Sequence, residues 1–114
     1  MAQRFEDLEI WLMAKELSVV IYKKFASCKD FRFRDQVQSA AVSVMNNIAE
    51  GFERKKGSKE FERFLYIAKG SAGEVRSMLV LALEFGYISP DEYEDLREAC
   101  LQMSRKLYRT IATW

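Results

Sequence analysis

Residues 58–86 read SKEFERFLYIAKGSAGEVRSMLVLALEFG. Within them Phe61, Leu65, Ala68, Ala72, Val75, Leu79 and Ala82 recur every three or four residues, the spacing of one face of an α-helix. The stretch therefore predicts a long helix over 59–85. Ser58 is placed to cap it, and Glu60 sits in the first turn, where the helix dipole favours an anion. Gly86 is placed to end it, and Gly57 to turn the chain before it with a left-handed residue.

The same reading extends in both directions. Ser89-Pro90-Asp91-Glu92 combines a capping serine, proline at the first helical position and a glutamate three residues after the cap. A helix over 90–112 follows, with Leu96, Cys100, Met103, Leu107 and Ile111 on its inner face. Upstream, Val37, Ala40, Ala41, Val44, Ile48 and Phe52 define a helix over 33–54, with Asp30 as its capping residue; the small Ala40 and Ala41 allow a neighbour to come close. Ile10, Ala14, Leu17, Ile21 and Phe25 define another over 7–27. Four long helices joined by short loops pack most simply as an antiparallel up-down-up-down four-helix bundle. The expected architecture is all-α, a single domain spanning 1–114.

Composition narrows the function. The chain has 114 residues, 49% hydrophobic and 31% charged, which suits one packed domain. It contains no histidine, so the commonest general base and zinc ligand are missing. Cys28 and Cys100 are far apart and lack the spacing of a metal or redox motif. No phosphate-binding glycine loop is present. The expectation is a non-enzyme needing no cofactor and no metal. Without a secretory leader or a membrane-length apolar run, the expected setting is the cytoplasm, away from membranes.

Two features go beyond a simple bundle. The first is surplus apolar surface. Helix 1 adds Leu12, Met13, Val19 and Val20 beside its inner stripe, and helix 3 adds a second stripe of Phe64, Ile67, Ser71, Met78, Leu81 and Phe85. Trp11, Tyr22, Phe64, Tyr66, Phe85 and Tyr87 cannot all fit one narrow interior. Broad helices in a small core are one explanation. A subunit interface is the preferred one, because contiguous apolar patches are rare on soluble monomers.

The second feature is a polar seam. Gln36, Ser43, Asn47, Glu50 and Arg54 share one side of helix 2, facing Ser71 and Glu74 on helix 3. A hydrogen-bonded register device is one reading. A ligand or oligomer contact built on Asn47, Glu50 and Glu74 is the other.

Charge totals 18 basic against 17 acidic residues, so any electrostatic function must come from distribution. Antiparallel topology places Arg54, Lys55, Lys56, Lys59 and Arg63 at the same pole as Arg105, Lys106 and Arg109. The opposite pole collects Asp91, Glu92, Glu94 and Asp95, partly offset by Lys29, Arg32 and Arg34. A basic pole is a candidate phosphate-binding surface. No aromatic interleaves with these cations, so stacking on bases is not expected.

The seam lies within the most recognisable part of the chain. Asn47-Ile48-Ala49-Glu50-Gly51, then Phe61-x-x-Phe64 running through Ser71 to Glu74, then Gly86-Tyr87-Ile88, resemble the four-helix-bundle family encoded in intervening sequences of 23S ribosomal RNA genes. Phe5-x-x-Leu8-x-Ile10-Trp11 is similar to that family's opening. The family in turn resembles the accessory protein of diversity-generating retroelements. That resemblance implies a homopentamer with a central channel, associated with RNA or DNA and with a protein partner such as a reverse transcriptase. The chain departs from the family at Gln38 and Ser39, where arginine is usual. A protein-interaction scaffold that binds no nucleic acid is the competing expectation.

Overall fold

Three side-chain caps set where the helices begin. In the computed structural model, which describes residues 4–55 (Lys55 by its backbone alone) and 58–113, Asp30 Oδ1 accepts the Phe33 N–H at 3.2 Å. Ser58 Oγ accepts the Phe61 N–H at 3.4 Å. Ser89 and Glu92 form a reciprocal box, with Ser89 N–H donating to Glu92 Oε1 at 2.8 Å and Glu92 N–H to Ser89 Oγ at 3.1 Å. The helices are α1 (Glu9–Phe25), α2 (Phe31–Lys55), α3 (Lys59–Glu84) and α4 (Pro90–Thr113). Gly86, at φ 76°, closes α3 in a Schellman turn. Its N–H reaches Leu83 O, and the Tyr87 N–H reaches Ala82 O. The expected turn at Gly57 and the cation Lys56 lie outside the described residues, as does the Lys55 side chain.

Three ends differ from expectation by two residues, one of them the end of α1, which closes at Phe25 rather than at 27. A 3-10 turn, Phe5–Asp7, occupies the start assigned to helix 1, and α1 begins at Glu9 without a side-chain cap. Phe5 packs edge-on against Trp11, ring centroids 5.1 Å apart, so ring packing fixes this entry instead. α2 starts two residues earlier than expected, because the Asp30 cap organises the turn that includes Phe31 and brings Phe33 into the core.

Each helix packs on its sequence neighbours, and α1 also packs on α4; among the described residues, the α1 and α3 backbones nowhere come within 8 Å between Cα atoms, nor do those of α2 and α4. Cross-links fix the antiparallel order. Lys24 pairs with Glu92 at one end, and Lys106 Nζ meets Glu9 Oε1 at 2.8 Å at the other. The molecule measures 42 × 21 × 19 Å, its long axis close to the roughly 39 Å of a 26-residue helix. The expected inner residues of α3 and α4 are all buried. Ser18 is buried too, its hydroxyl within reach of the Ala14 and Ala41 carbonyls at 3.0 and 3.1 Å. α1 thus lies close against the small-residue face of α2.

At Gly51, α2 comes close against α3. A Cβ there would stand 2.5 Å from Phe64 Cβ and 3.0 Å from the Phe61 ring. Phe64 fits against this space and is buried rather than part of an outer stripe, although it stays outside the core cluster. The outer stripe of α3 is different from that expected. Ile67, Leu81 and Phe85 are exposed as anticipated; Ser71 and Met78 are half-buried; Tyr66 and Val80 join the exposed set. At Gly70 and Gly73 between them, a Cβ would meet nothing within 4 Å.

Candidate nucleic-acid interface

The pole expected to be basic is built from the end of α2, the start of α3, the end of α4 and the start of α1. Among the described residues, four of its six cations are matched by carboxylates. Arg54 pairs with Glu50 at 2.9 Å and with Glu60 at 3.9 Å; Arg63 pairs with Glu60 at 3.2 Å. Both guanidinium groups also lie over the Phe64 ring, 5.4 and 5.1 Å from its centroid. Lys106 pairs with Glu9, and Arg105 with Glu98 at 2.8 Å. Lys59 and Arg109 form no ion pair among the described residues. Grouping the cations leaves out these carboxylates, one or two turns away on the same helix or across on α1, so the positive field here is weaker than the count of lysines and arginines suggests. Exposed pairs of this kind hold together by about 0–1 kcal/mol, so they remain exchangeable for phosphate.

The polar seam divides into two parts. Ser43 and Ser71 hydroxyls meet at 2.9 Å, and Asn47 Nδ2 donates to Ser43 O at 2.8 Å and to Ser43 Oγ at 3.0 Å. This part is a half-buried register device between α2 and α3. Glu50 instead pairs along its own helix with Arg54. Gln36 and Glu74 line an open groove with Arg32, Asp35, Ser39 and Ser43. The structure therefore does not bring Asn47, Glu50 and Glu74 together as a ligand set. Among the described residues, no three His, Cys, Asp or Glu side chains gather as a metal site would require.

At the far pole, the Tyr87 hydroxyl donates to Asp30 Oδ2 at 2.6 Å. That bond, with the Phe33 N–H, holds the Asp30 carboxyl below its ordinary range, and the same bond raises the Tyr87 phenol to about 12. Glu92 is likewise lowered, first by Lys24 and then by the Ser89 N–H. Burial pushes the Cys100 thiol up to about 11, while the charge of Arg76 nearby pulls the other way. Such a thiol is protonated and unreactive at neutral pH.

One cluster escaped the sequence reading. Lys69 of α3 and Ser104, Arg105, Tyr108 and Arg109 of α4 line a groove between the two helices. Tyr108, 60% exposed, sits between two arginines, so an aromatic does interleave with the cations. Its place between Arg105 and Arg109 was visible in the sequence. The contribution of Lys69 needed the α3–α4 register.

Residues 6–109 match the family described as 23S rRNA-intervening sequence protein. The chain belongs to this family. Its fold is similar to the crystal structure of a protein of unknown function from the S23 ribosomal protein family of Bacteroides thetaiotaomicron. The TM-score is 0.81 at 25% identity, over 90% of this chain and 97% of that one. Among curated proteins, none matches. The sequence motifs of the family resemblance now have physical roles: Asn47 ties the seam to Ser43, Gly51 admits Phe64, and Gly86 closes α3. No helix among the described residues is long and apolar enough to cross a membrane.

Proposed function

We infer that this protein is a non-enzymatic, self-assembling helical bundle that associates with RNA or DNA through its cations. The carrying observation is the position of its exposed apolar residues. α3 presents Tyr66, Ile67, Val80 and Leu81 around the open Gly70–Gly73 stretch, and α1 presents Leu12, Val19 and Val20. α1 and α3 stand at opposite corners of the bundle. Two unlike apolar faces pointing apart favour head-to-tail association, which gives a ring when the rotation between copies closes and a filament when it does not. The resemblance to the retroelement accessory protein supports five copies. The lack of histidine and the raised Cys100 pKa support a role other than catalysis.

Sedimentation of the native protein tests this reading. The expected particle is several times the 13.3 kDa chain, about fivefold for a pentamer. Replacing the exposed Ile67 and Leu81 together with glutamate should return it to one chain with its helicity intact. A wild-type particle of 13.3 kDa at micromolar concentration overturns the assembly.

The ion pairs at the pole favour a second reading, a scaffold for another protein such as a reverse transcriptase. Gel retardation separates the two. RNA or DNA retained at low salt and released as salt rises supports the first. Retention by no nucleic acid, with a protein partner recovered from the native host, supports the second.

A further inference from the structure

We propose that the α3–α4 groove is a binding site for unpaired RNA or DNA, with Lys69, Arg105 and Arg109 holding phosphates and Tyr108 stacking on a base. The inference rests on the nucleic-acid reading above and moves its centre from the pole to the side of the bundle.

Comparison of the bundle's grooves carries the assignment. The α2–α3 groove sets Arg32 against Asp35 and Glu74. The α1–α4 groove is apolar, lined by Met13, Leu17, Val20 and Met103, with Glu16 and Asp95 among its walls. The α3–α4 groove encloses about 490 Å³ and has three cations and no carboxylate among its lining residues. Lys69 and Arg109 form no ion pair among the described residues, and Arg105 reaches only Glu98, outside that lining. Charge left unmatched in a concave site attracts anions.

Tyr108 narrows the class of anion. It is among the most exposed large side chains of the molecule, and its ring lines the same groove as the cations. A flat aromatic face beside a row of cations suits a ligand carrying both phosphates and accessible base faces, and in a duplex those faces are already stacked. The row also has length. Arg76 lies seven residues beyond Lys69 and Arg97 seven before Ser104, on the same flanks of their helices. Along α4, Arg97, Arg105 and Arg109 are spaced about 12 and 6 Å apart by helical rise. A backbone laid along the groove would meet Arg97, then the exposed Glu98–Arg105 pair, whose guanidinium can exchange its carboxylate for phosphate, and then Arg109.

The test is fluorescence anisotropy with short labelled oligonucleotides: single-stranded RNA, single-stranded DNA and the corresponding duplex. Unpaired strands should bind more tightly than duplex, and the two single-stranded probes show which sugar is preferred. Replacing Lys69, Arg105 and Arg109 with glutamine should weaken binding at least about tenfold at low salt. It should also flatten the plot of log affinity against log salt by about 2, from three phosphate contacts at roughly 0.7 each. Tyr108→Ala should weaken binding about tenfold, the scale of one lost stack, and Tyr108→Phe should keep it. All these residues lie on the surface, and circular dichroism checks that each variant folds.

If the groove variants bind like wild type while replacing Arg54, Lys55, Lys56 and Lys59 abolishes binding, the groove proposal falls and the pole reading stands. If wild type holds no oligonucleotide, both fall. If poly-glutamate competes as well as RNA and Tyr108→Ala has no effect, the groove is a plain anion patch and the proposal is overturned.

Discussion

The α2–α3 and α1–α4 pairs are held together by different forces. α2 and α3 meet at Gly51, where helix backbone lies against Phe64 and Phe61. They are joined along their length by the Ser43–Ser71 contact and at their far end by Tyr87 and Asp30. α1 and α4 touch over less of their length, with an apolar groove between them and an ion pair near either end. One pair depends on steric fit and short hydrogen bonds, the other on side-chain burial and exposed charge. Salt and small changes of volume should therefore affect them unequally.

The largest effect expected is at Gly51. Alanine ordinarily improves a helix interior by roughly 0.5–1 kcal/mol over glycine. At Gly51 the new methyl would collide with Phe64 Cβ, an atom close to the α3 backbone that cannot swing away. Overpacking of this kind costs about 1–3 kcal/mol, so Gly51→Ala should lower the denaturation midpoint. Gly70→Ala is the control. With open space around it, it should raise the midpoint of an isolated bundle. A stabilising Gly51→Ala would show that the α2–α3 contact is looser than the structure has it.

A smaller effect is expected at the α1–α4 end. Lys106→Gln removes the partner of Glu9 and should cost no more than about 1 kcal/mol in dilute buffer. The cost should fade as salt is added, whereas that of Gly51→Ala should persist. Denaturation of both variants at two salt concentrations measures the contrast.

The most delicate probe is pH. Asp30 is lowered in the folded state, so its contribution is present above its unfolded pKa and is lost as pH falls through the folded value. Tyr87 is raised to about 12, so its contribution is complete below the phenol's unfolded pKa of roughly 10 and is lost between there and about 12. Tyr87→Phe should lower stability across neutral pH, where both contributions are complete, and so flatten both limbs of a stability–pH curve. A curve that keeps both limbs would detach this clasp from folding.

Most of the architecture was legible because the inner stripes of α3 and α4 are regular and the caps at Ser58, Ser89 and Asp30 have a strong local chemistry. The misses have physical causes. Phe64 is buried because its Cβ fits against Gly51 of a different helix and its ring is covered by Arg54 and Arg63, which periodicity within α3 does not reveal. The start of α1 depends on Phe5 packing on Trp11 rather than on a cap. The cationic pole was overvalued because Glu50, Glu60 and Glu98 pair with arginines along their own helices, at spacings the sequence already displays, while the Glu9–Lys106 and Glu60–Arg54 pairs needed helix register. Lys69 needed the same register to join Tyr108 across two helices.

The opposed placement of the α1 and α3 outer faces also gives the single bundle a front and a back. Copies joined front to back would all point the same way around a circle, so the circle would have a handedness. Every α3–α4 groove would then repeat with one orientation. A strand threaded through successive grooves would meet each subunit from the same side, and its 5′-to-3′ sense would be matched to the rotation of the ring.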